Sequence, residues 1–171
     1  MIDAAVVAFR DSTDTDRDYM HGLFAALRGR DWGASGLERS ALEPLLAMQF
    51  GAQESGYKTQ FPDSQCQVIV YEGRPVGRLW LCRSPREIRI LDIGIEPCMQ
   101  CHGIGSSVLR TLLSEAQAAG LRVTLSVAGD NAAQRLYRRL GFEAIAAHPP
   151  YVEMQWHGAS ASHPPKEICD E

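Results

Sequence analysis

The sequence predicts a mixed α/β fold, and three observations predict it. Short runs rich in Val, Ile and Leu alternate with helical stretches in the order β-α-α-β-β-β-α-β-α-β-β. The run Ile88–Ile95 is apolar almost throughout, as a strand buried on both faces is. A glycine-bearing turn at Gly103 and Gly105 leads from it into an amphipathic helix and then another strand, so Ile88 to Val127 reads as a right-handed parallel crossover.

In chain order, Ala4–Arg10 reads as the first strand. Asp11-Ser12-Thr13 is a turn and helix cap, and Asp14–Leu27 has helical periodicity with Tyr19, Leu23, Ala26 and Leu27 on one stripe. Gly29–Gly36 reads as a loop. A second helix is predicted from Ser40 to about Tyr57, with Pro44 in its first turn. Cys66–Tyr71 and Val76–Cys82 form a hairpin around Glu72-Gly73-Arg74-Pro75, and Pro97 ends the strand that follows. From Gly103 a helix places Ile104, Val108, Leu109, Leu112, Leu113 and Ala116 on one face and stops at Gly120. Leu121–Val127 is a strand, and Asn131–Leu140 is a short helix closed by Gly141. Phe142–Ala147 and Tyr151–Trp156 are the last strands. The expected organisation is one domain over residues 1–157 and a disordered polar tail over 158–171.

Composition narrows the function. A chain of 171 residues with 45% hydrophobic and 22% charged residues is an ordinary globular domain. Its net charge of −4 argues against a nucleic-acid partner, and a cationic small molecule is the better electrostatic match. No apolar run approaches the roughly 20 residues that span a bilayer, so no membrane partner is expected. The N-terminus has no basic segment leading into an apolar one, and the five widely spaced cysteines read as free thiols in a reducing cytoplasm.

Two segments carry chemistry. Gln100-Cys101-His102-Gly103-Ile104-Gly105-Ser106 aims unpaired backbone N–H groups and the positive end of a helix dipole outward, which suits a pyrophosphate. Glycines at 103 and 105 remove the Cβ from that approach. The bland alternative is a plain β–α turn. The second segment runs from Asn131 to Phe142, where Asn131 caps a helix and Tyr137 follows six residues on. It also reads as a capped amphipathic helix with a core tyrosine.

Together the two segments resemble the GNAT acetyltransferase superfamily. The first is similar to its Q/R-x-x-G-x-G/A acyl-CoA motif and the second to its N-x-A-x-x-L-Y-x-x-L-G-F signature, in the right order and at suitable spacing. The similarity is strongest from about Val68 to Phe142. The resemblance implies a mixed central sheet splayed between its fourth and fifth strands, flanked by about four helices. It also implies an acyl-CoA-dependent N-acetyltransferase that moves an acetyl group from acetyl-CoA to a primary amine by direct transfer, with no metal.

On that resemblance, the backbone of Ile93 and Ile95 pairs with the pantetheine arm. The N–H groups of Gln100, Cys101, His102, Gly103, Ile104, Gly105 and Ser106 hold the pyrophosphate. Asn131 hydrogen-bonds the pantetheine, and Tyr137 sits near the sulfur and protonates the leaving thiolate. The family is often dimeric, so a homodimer is among the expected states. The chain departs from the common R-G-x-G-x-G form at Gln100, Cys101 and His102, which removes positive charge near the phosphates. A CoA-binding module without turnover, acting as a sensor or partner protein, is the alternative function.

Cys98-Met99-Gln100-Cys101-His102 also spells C-x-x-C-H, the c-type haem attachment pattern. The α/β surroundings and the absence of an export signal weigh against haem. A zinc site would need two further ligands that no second spaced pair supplies, and a thiol-redox role stays open. A dinucleotide-binding turn would need a third glycine where Val108 stands.

For the general base the candidates are Asp92, in the fourth strand beside the expected reaction centre, and Glu96 just after it. Asp92 reads equally as a buried structural carboxylate. Alternation sets it opposite Ile93 unless a β-bulge intervenes, and the family usually has one there. The amine site is expected from the first two helices and the last hairpin. Asp11, Asp14, Asp16 and Asp18 either attract a cationic amine or complement the first helix dipole. Trp32, Phe50, Tyr57, Phe61, Tyr151 and Trp156 either line an acceptor pocket or pack, with Trp32 the foremost pocket candidate.

Overall fold

A computed structural model describes residues 7–32, 36 and 38–158. The elements are β1 (Val7–Asp11), a 3-10 turn (Asp14–Asp16), α1 (Arg17–Trp32), α2 (Arg39–Gln60), β2 (Gln65–Tyr71), β3 (Arg74–Arg83), β4 (Glu87–Ile95), α3 (Ile104–Ala119), β5 (Arg122–Ala128), α4 (Gln134–Arg139), β6 (Glu143–His148) and β7 (Tyr151–Trp156). The strands form one seven-stranded sheet in the order β1-β2-β3-β4-β5-β7-β6. Every neighbouring pair is antiparallel except β4–β5, which is parallel and carries α3 as its crossover. The mixed α/β class and the element order are those the sequence predicts.

Strand alternation sends side chains to two faces. On one face Ile69, Leu79, Leu81, Ile88, Ile90, Val123 and Leu125 pack against α3. All six residues predicted for the apolar face of α3 are buried there. On the other face Val68 packs with Met20 and Phe24 of α1 and Leu46 and Phe50 of α2.

Four sequence expectations are corrected. The loop at Gly29–Gly36 starts later, because α1 continues to Trp32. An interior glycine costs about 1 kcal/mol against alanine, which the good helix formers Leu27, Arg28 and Arg30 offset. Trp32 is therefore a helix end rather than a loop residue, and its side chain lies outside the described residues. The buried stripe of α1 is Met20, Leu23 and Phe24, with Leu27 half-buried, whereas Ala26 is exposed. Pro44 lies in the second turn of α2 rather than its first, since the helix begins at Arg39. The hairpin turn is only Glu72-Gly73, both left-handed at φ 50° and 76°, a two-residue form that matches strand twist and lets β3 start at Arg74. The expected strand residues Ala4–Val6 and the tail from Ala159 lie outside the described residues.

Candidate active site

The site is built from an interrupted ladder. β4 pairs with β5 only from Glu87↔Arg122 to Ile90↔Leu125. Beyond that point β4 stays with β3 to Ile95, while β5 stays with β7 to Ala128↔Tyr151. The seam therefore opens along Leu91–Ile95 of β4 and Ser126–Ala128 of β5, which is the expected splay.

The β3–β4 register shifts between Trp80 and Leu81, so Leu91 is an extra residue, a β-bulge. Ile88 and Ile90 face α3, and strict alternation would send Asp92 after them. The bulge instead turns Asp92 and Gly94 to the α1/α2 face and Ile93 and Ile95 to the α3 face. Two contacts agree: a Cβ on Gly94 would fall 2.6 Å from Leu27 Cδ1 of α1, and one on Gly105 of α3 would fall 3.4 Å from Ile95 Cδ1.

Asp92 is not a free carboxylate. Arg78, only 2% exposed, donates to its Oδ2 from Nε at 2.8 Å, and its Nη2 lies 2.8 Å from the same oxygen. Nη2 also donates to Gln53 Oε1 at 2.9 Å, whereas Nη1 has no partner among the described residues. The guanidinium carbon lies 6.0 and 5.9 Å from the ring centres of Phe24 and Phe50. Oδ1 of Asp92 carries no hydrogen bond from the described residues.

Tyr137 of α4 is buried, its ring edge-on to Phe142 at 5.7 Å. Burial first, and then the charge of Asp92, push its hydroxyl up to about 12. Tyr137 belongs to the cluster against which Ile93 and Ile95 pack on the α3 side of the opening. Glu96 lies near Tyr19 of α1. Burial, then the Glu96 charge, drive the Tyr19 hydroxyl up, and that hydroxyl lies near the Glu96 carboxylate without closing a hydrogen bond to any of the described residues.

At the other end of the opening the chain turns into α3. Gly103 precedes the helix at φ 85°, a left-handed conformation open to glycine. The first intrahelical bond is Ser107 N–H to the Gly103 carbonyl at 3.0 Å, which leaves the N–H groups of Ile104, Gly105 and Ser106 ahead of it. Gln100 donates from Nε2 to the Ile95 carbonyl at 3.0 Å, and His102 Nδ1 lies 2.7 Å from the Gln100 carbonyl. Cys98 and Cys101 are exposed free thiols. Asn131 accepts from the Ala133 N–H at 2.8 Å through Oδ1, which leaves its amide nitrogen free to donate. Unpaired N–H groups and a glycine approach fit the diphosphate and extended amide arm of an acyl-CoA.

Residues the sequence singled out divide. Tyr137, Asp92, Ile93 and Ile95 lie along the opening, and Gln100 to Ser106 form the turn into α3 at its other end. Asp16 instead binds Arg10 and caps the turn before α1, and Asp11 and Asp14 line a cavity of ≈ 360 Å³ with Arg17, Glu54 and Trp80. No residue of the opening lines that cavity. Phe50 packs in the core, and Phe61 lies under Arg89 with 5.8 Å between guanidinium carbon and ring centre. Sequence reasoning missed Arg78, Gln53 and the polar contact of Tyr57. An arginine inside the apolar run Val76–Leu81 was a legible signal of a buried partner, while Gln53 carried none.

An α/β sheet opened at its one parallel seam, with a glycine turn at one end and a tyrosine and a carboxylate at the other, defines the class of acyl-CoA-binding transferase folds. More particularly, the chain belongs to the acetyltransferase (GNAT) family, whose model matches residues 37–142. It is 40% identical over 78 residues to the N-alpha-acetyltransferase RimI of Mycobacterium tuberculosis, a match over 45% of this chain and 47% of that protein. The match thus spans about half the length of this relative. The fold resembles the PaiA N-acetyltransferase of Thermoplasma acidophilum in complex with coenzyme A, with a TM-score of 0.66, 12% identity, and 88% and 98% of the two chains covered. It also resembles the ribosomal-protein-S18-alanine N-acetyltransferase of Escherichia coli, with a TM-score of 0.60, 18% identity, and 88% and 93% covered.

Proposed function

We propose that this chain transfers an acetyl group from acetyl-CoA to a primary amine by direct attack. The observation that carries the reading is the open β4–β5 seam, which joins the phosphate-binding turn at Gly103–Ser106 to Tyr137 and Asp92. Acetyl-CoA supplies the activated thioester. The unpaired N–H groups before Ser107 hold the diphosphate, and the β4 edge at Ile93 and Ile95 pairs with the arm. A backbone N–H of that edge polarises the thioester carbonyl. Oδ1 of Asp92 takes the amine proton directly or through water, with Glu96 the second candidate. Tyr137, still protonated at neutral pH, gives its proton to the departing thiolate. Asn131 steadies the arm through its free amide nitrogen.

The acceptor class follows the named relatives. RimI of M. tuberculosis is by name an N-alpha-acetyltransferase and the E. coli enzyme a ribosomal-protein-S18-alanine N-acetyltransferase, so a protein N-terminus stands first and a small amine second. No helix among the described residues is long and apolar enough to cross a membrane. A cytoplasmic enzyme, monomeric or homodimeric, is the setting we propose.

Isothermal titration with acetyl-CoA, alongside NAD as control, tests the reading. Saturable binding of acetyl-CoA alone supports it and leads to a screen of amine libraries and N-terminal peptides. Binding without turnover on any amine would favour a silent CoA-binding module, and no binding would sink the proposal.

A further inference from the structure

The open edge of β4 is capped at both ends by side chains. Glu96 N–H donates to the Val76 carbonyl of β3 at 2.9 Å. Alternation then points the backbone groups of Gly94 and Asp92 toward β3 as well, and those of Ile93 and Ile95 away from it, into the opening. The contact of Gln100 Nε2 with the Ile95 carbonyl agrees with that direction. In the planar trans peptide between Leu91 and Asp92, the Leu91 carbonyl points opposite to the Asp92 N–H and so away from β3. That carbonyl accepts from the Tyr57 hydroxyl at 3.0 Å. Among the described residues, the opening is thus lined by a Leu91 carbonyl taken by Tyr57, an unpaired Ile93 N–H and carbonyl, an unpaired Ile95 N–H, and an Ile95 carbonyl taken by Gln100.

The two caps differ in place. Gln100 caps the end where the chain turns into α3. Tyr57 caps the end beside Asp92 and Tyr137, where the thioester lies on the reading above. An uncapped Leu91 carbonyl there would set one oxygen dipole against another. We infer that Tyr57 is a positioning residue for acetyl transfer: its hydroxyl occupies the Leu91 carbonyl and holds the bulge, so that Ile93 N–H is the donor that meets the thioester carbonyl.

Tyr57 is itself fixed. Its ring meets Trp80 edge-on at 5.1 Å, and Gln53 Nε2 lies 3.4 Å from its hydroxyl. Gln53 in turn accepts from Arg78, which holds Asp92, so one polar chain grips the bulge through both Leu91 and Asp92. Burial and then the charge of Asp92 push the Tyr57 hydroxyl up to about 12, so it remains a donor at neutral pH.

The inference rests on the acetyl-CoA reading, and the test separates the two. Binding of CoA and of a ketone analogue of acetyl-CoA, in which a methylene replaces the sulfur, is measured on wild type and Tyr57→Phe. The variant keeps the ring and loses the hydroxyl. The expected result is CoA affinity unchanged within about twofold and analogue affinity lowered about three- to tenfold, the worth of one hydrogen bond. An equal fall for both ligands, as a merely structural role gives, or no change for either, overturns the inference while leaving the cofactor reading intact. Failure of wild type to bind either ligand brings down both. If Tyr57→Phe does not fold, amide exchange on wild type decides. Ile93 N–H should gain protection from the analogue and not from CoA, and equal protection by both, or by neither, overturns the inference.

Discussion

The two faces of the sheet are built on different physics. The α3 face is mainly apolar: Leu79, Leu81, Ile88, Val108 and Val123 are all buried there, and Ser107 of α3 adds a buried hydroxyl with no partner among the described residues. The α1/α2 face also has an apolar cluster, but a buried arginine, its carboxylate partner, a glutamine and a tyrosine interrupt it beside the bulge. The cluster on the α3 face also holds Tyr137, with Ile95 and Met99 ahead of the glycine turn packed against it. The polar face keeps hydrogen-bonding groups next to the seam, where burying them opposes stability unless each is paired. The comparison teaches that the same sheet packs a mainly apolar core on one side and a polar network on the other, and that the Leu91 bulge decides on which side Asp92 falls.

The largest effect separates the faces by reversibility. Arg78→Met should destabilise by about 3–5 kcal/mol because it strands the Asp92 charge. Arg78→Met with Asp92→Leu should recover most of that loss, since a buried ion pair is often replaceable by apolar groups. Leu112→Ala on the α3 face should cost about 2–5 kcal/mol, with no partner whose removal repairs it. Urea unfolding of the three proteins checks this. A single Arg78→Met variant losing under about 1 kcal/mol would mean that water already satisfies Asp92 and that the faces do not differ as described.

Next in size is Tyr137→Phe, which should lower kcat about 100-fold, the lower range for a lost general acid, with KM for acetyl-CoA little changed. The same residue gives a pH prediction. A tyrosine whose pKa is raised in the fold stabilises fully below its unfolded value near 10. That contribution disappears as pH rises through about 12, its folded value. Wild type should therefore lose stability between about pH 10 and 12 more steeply than Tyr137→Phe, as read by denaturation across that range. Parallel alkaline curves would show that Tyr137 is not the buried group described.

How far this contrast was legible in the sequence differs by face. The six buried apolar residues of α3 and the parallel crossover follow from periodicity and an apolar run, because a helix packed on one mainly apolar face keeps its 3.6-residue signal, whereas buried Ser107 falls outside that pattern. The glycine turn and Tyr137 were legible as well, through motif spacing. The polar face was not. Asp92 faces α1 and α2 only because Leu91 is an extra residue; the family resemblance implies a bulge there and the β3–β4 pairing shows it, but no residue of Ile88–Ile95 marks it by itself. The hydrogen bond from Tyr57 to Leu91 joins residues 34 apart in sequence, and no local pattern predicts it. The stripe of α1 was misplaced because Met20 and Phe24 serve the cluster around Phe50, which a periodicity count cannot see.

Smaller again is the cap where the polar face begins. Asp16 accepts from both Arg10 nitrogens at 2.6 and 2.8 Å and from the Thr13 N–H at 2.8 Å. The Arg10 contact first, then the Thr13 N–H, hold its carboxyl well below the usual range. Asp16→Ala should destabilise by about 1–2 kcal/mol, the upper range for a lost cap. Because the folded pKa is depressed, the contribution is present above the ordinary aspartate value and lost as pH falls below it. The gap between wild type and variant should therefore close in acid, and a gap independent of pH would assign the effect to packing.

The smallest effect tests the phosphate turn itself. Cys101 lies at φ 63°, a left-handed conformation that L side chains disfavour by roughly 1–2 kcal/mol, at the position where the resemblance leads one to expect glycine. Cys101→Gly removes the Cβ clash but gives the unfolded chain more freedom, so the net gain should be at most about 1 kcal/mol. If the left-handed turn exists only to bring N–H groups toward a diphosphate, glycine keeps that shape and CoA affinity should hold or rise. A weaker affinity would show that the Cys101 side chain takes part in binding. Cys101→Ala separates the terms: it keeps the strain and loses the thiol, so it should match wild type in stability and bind CoA as wild type does. Thermal unfolding and titration of both variants give the answer, and a loss of binding in both would move the role of this turn from backbone shape to the sulfur.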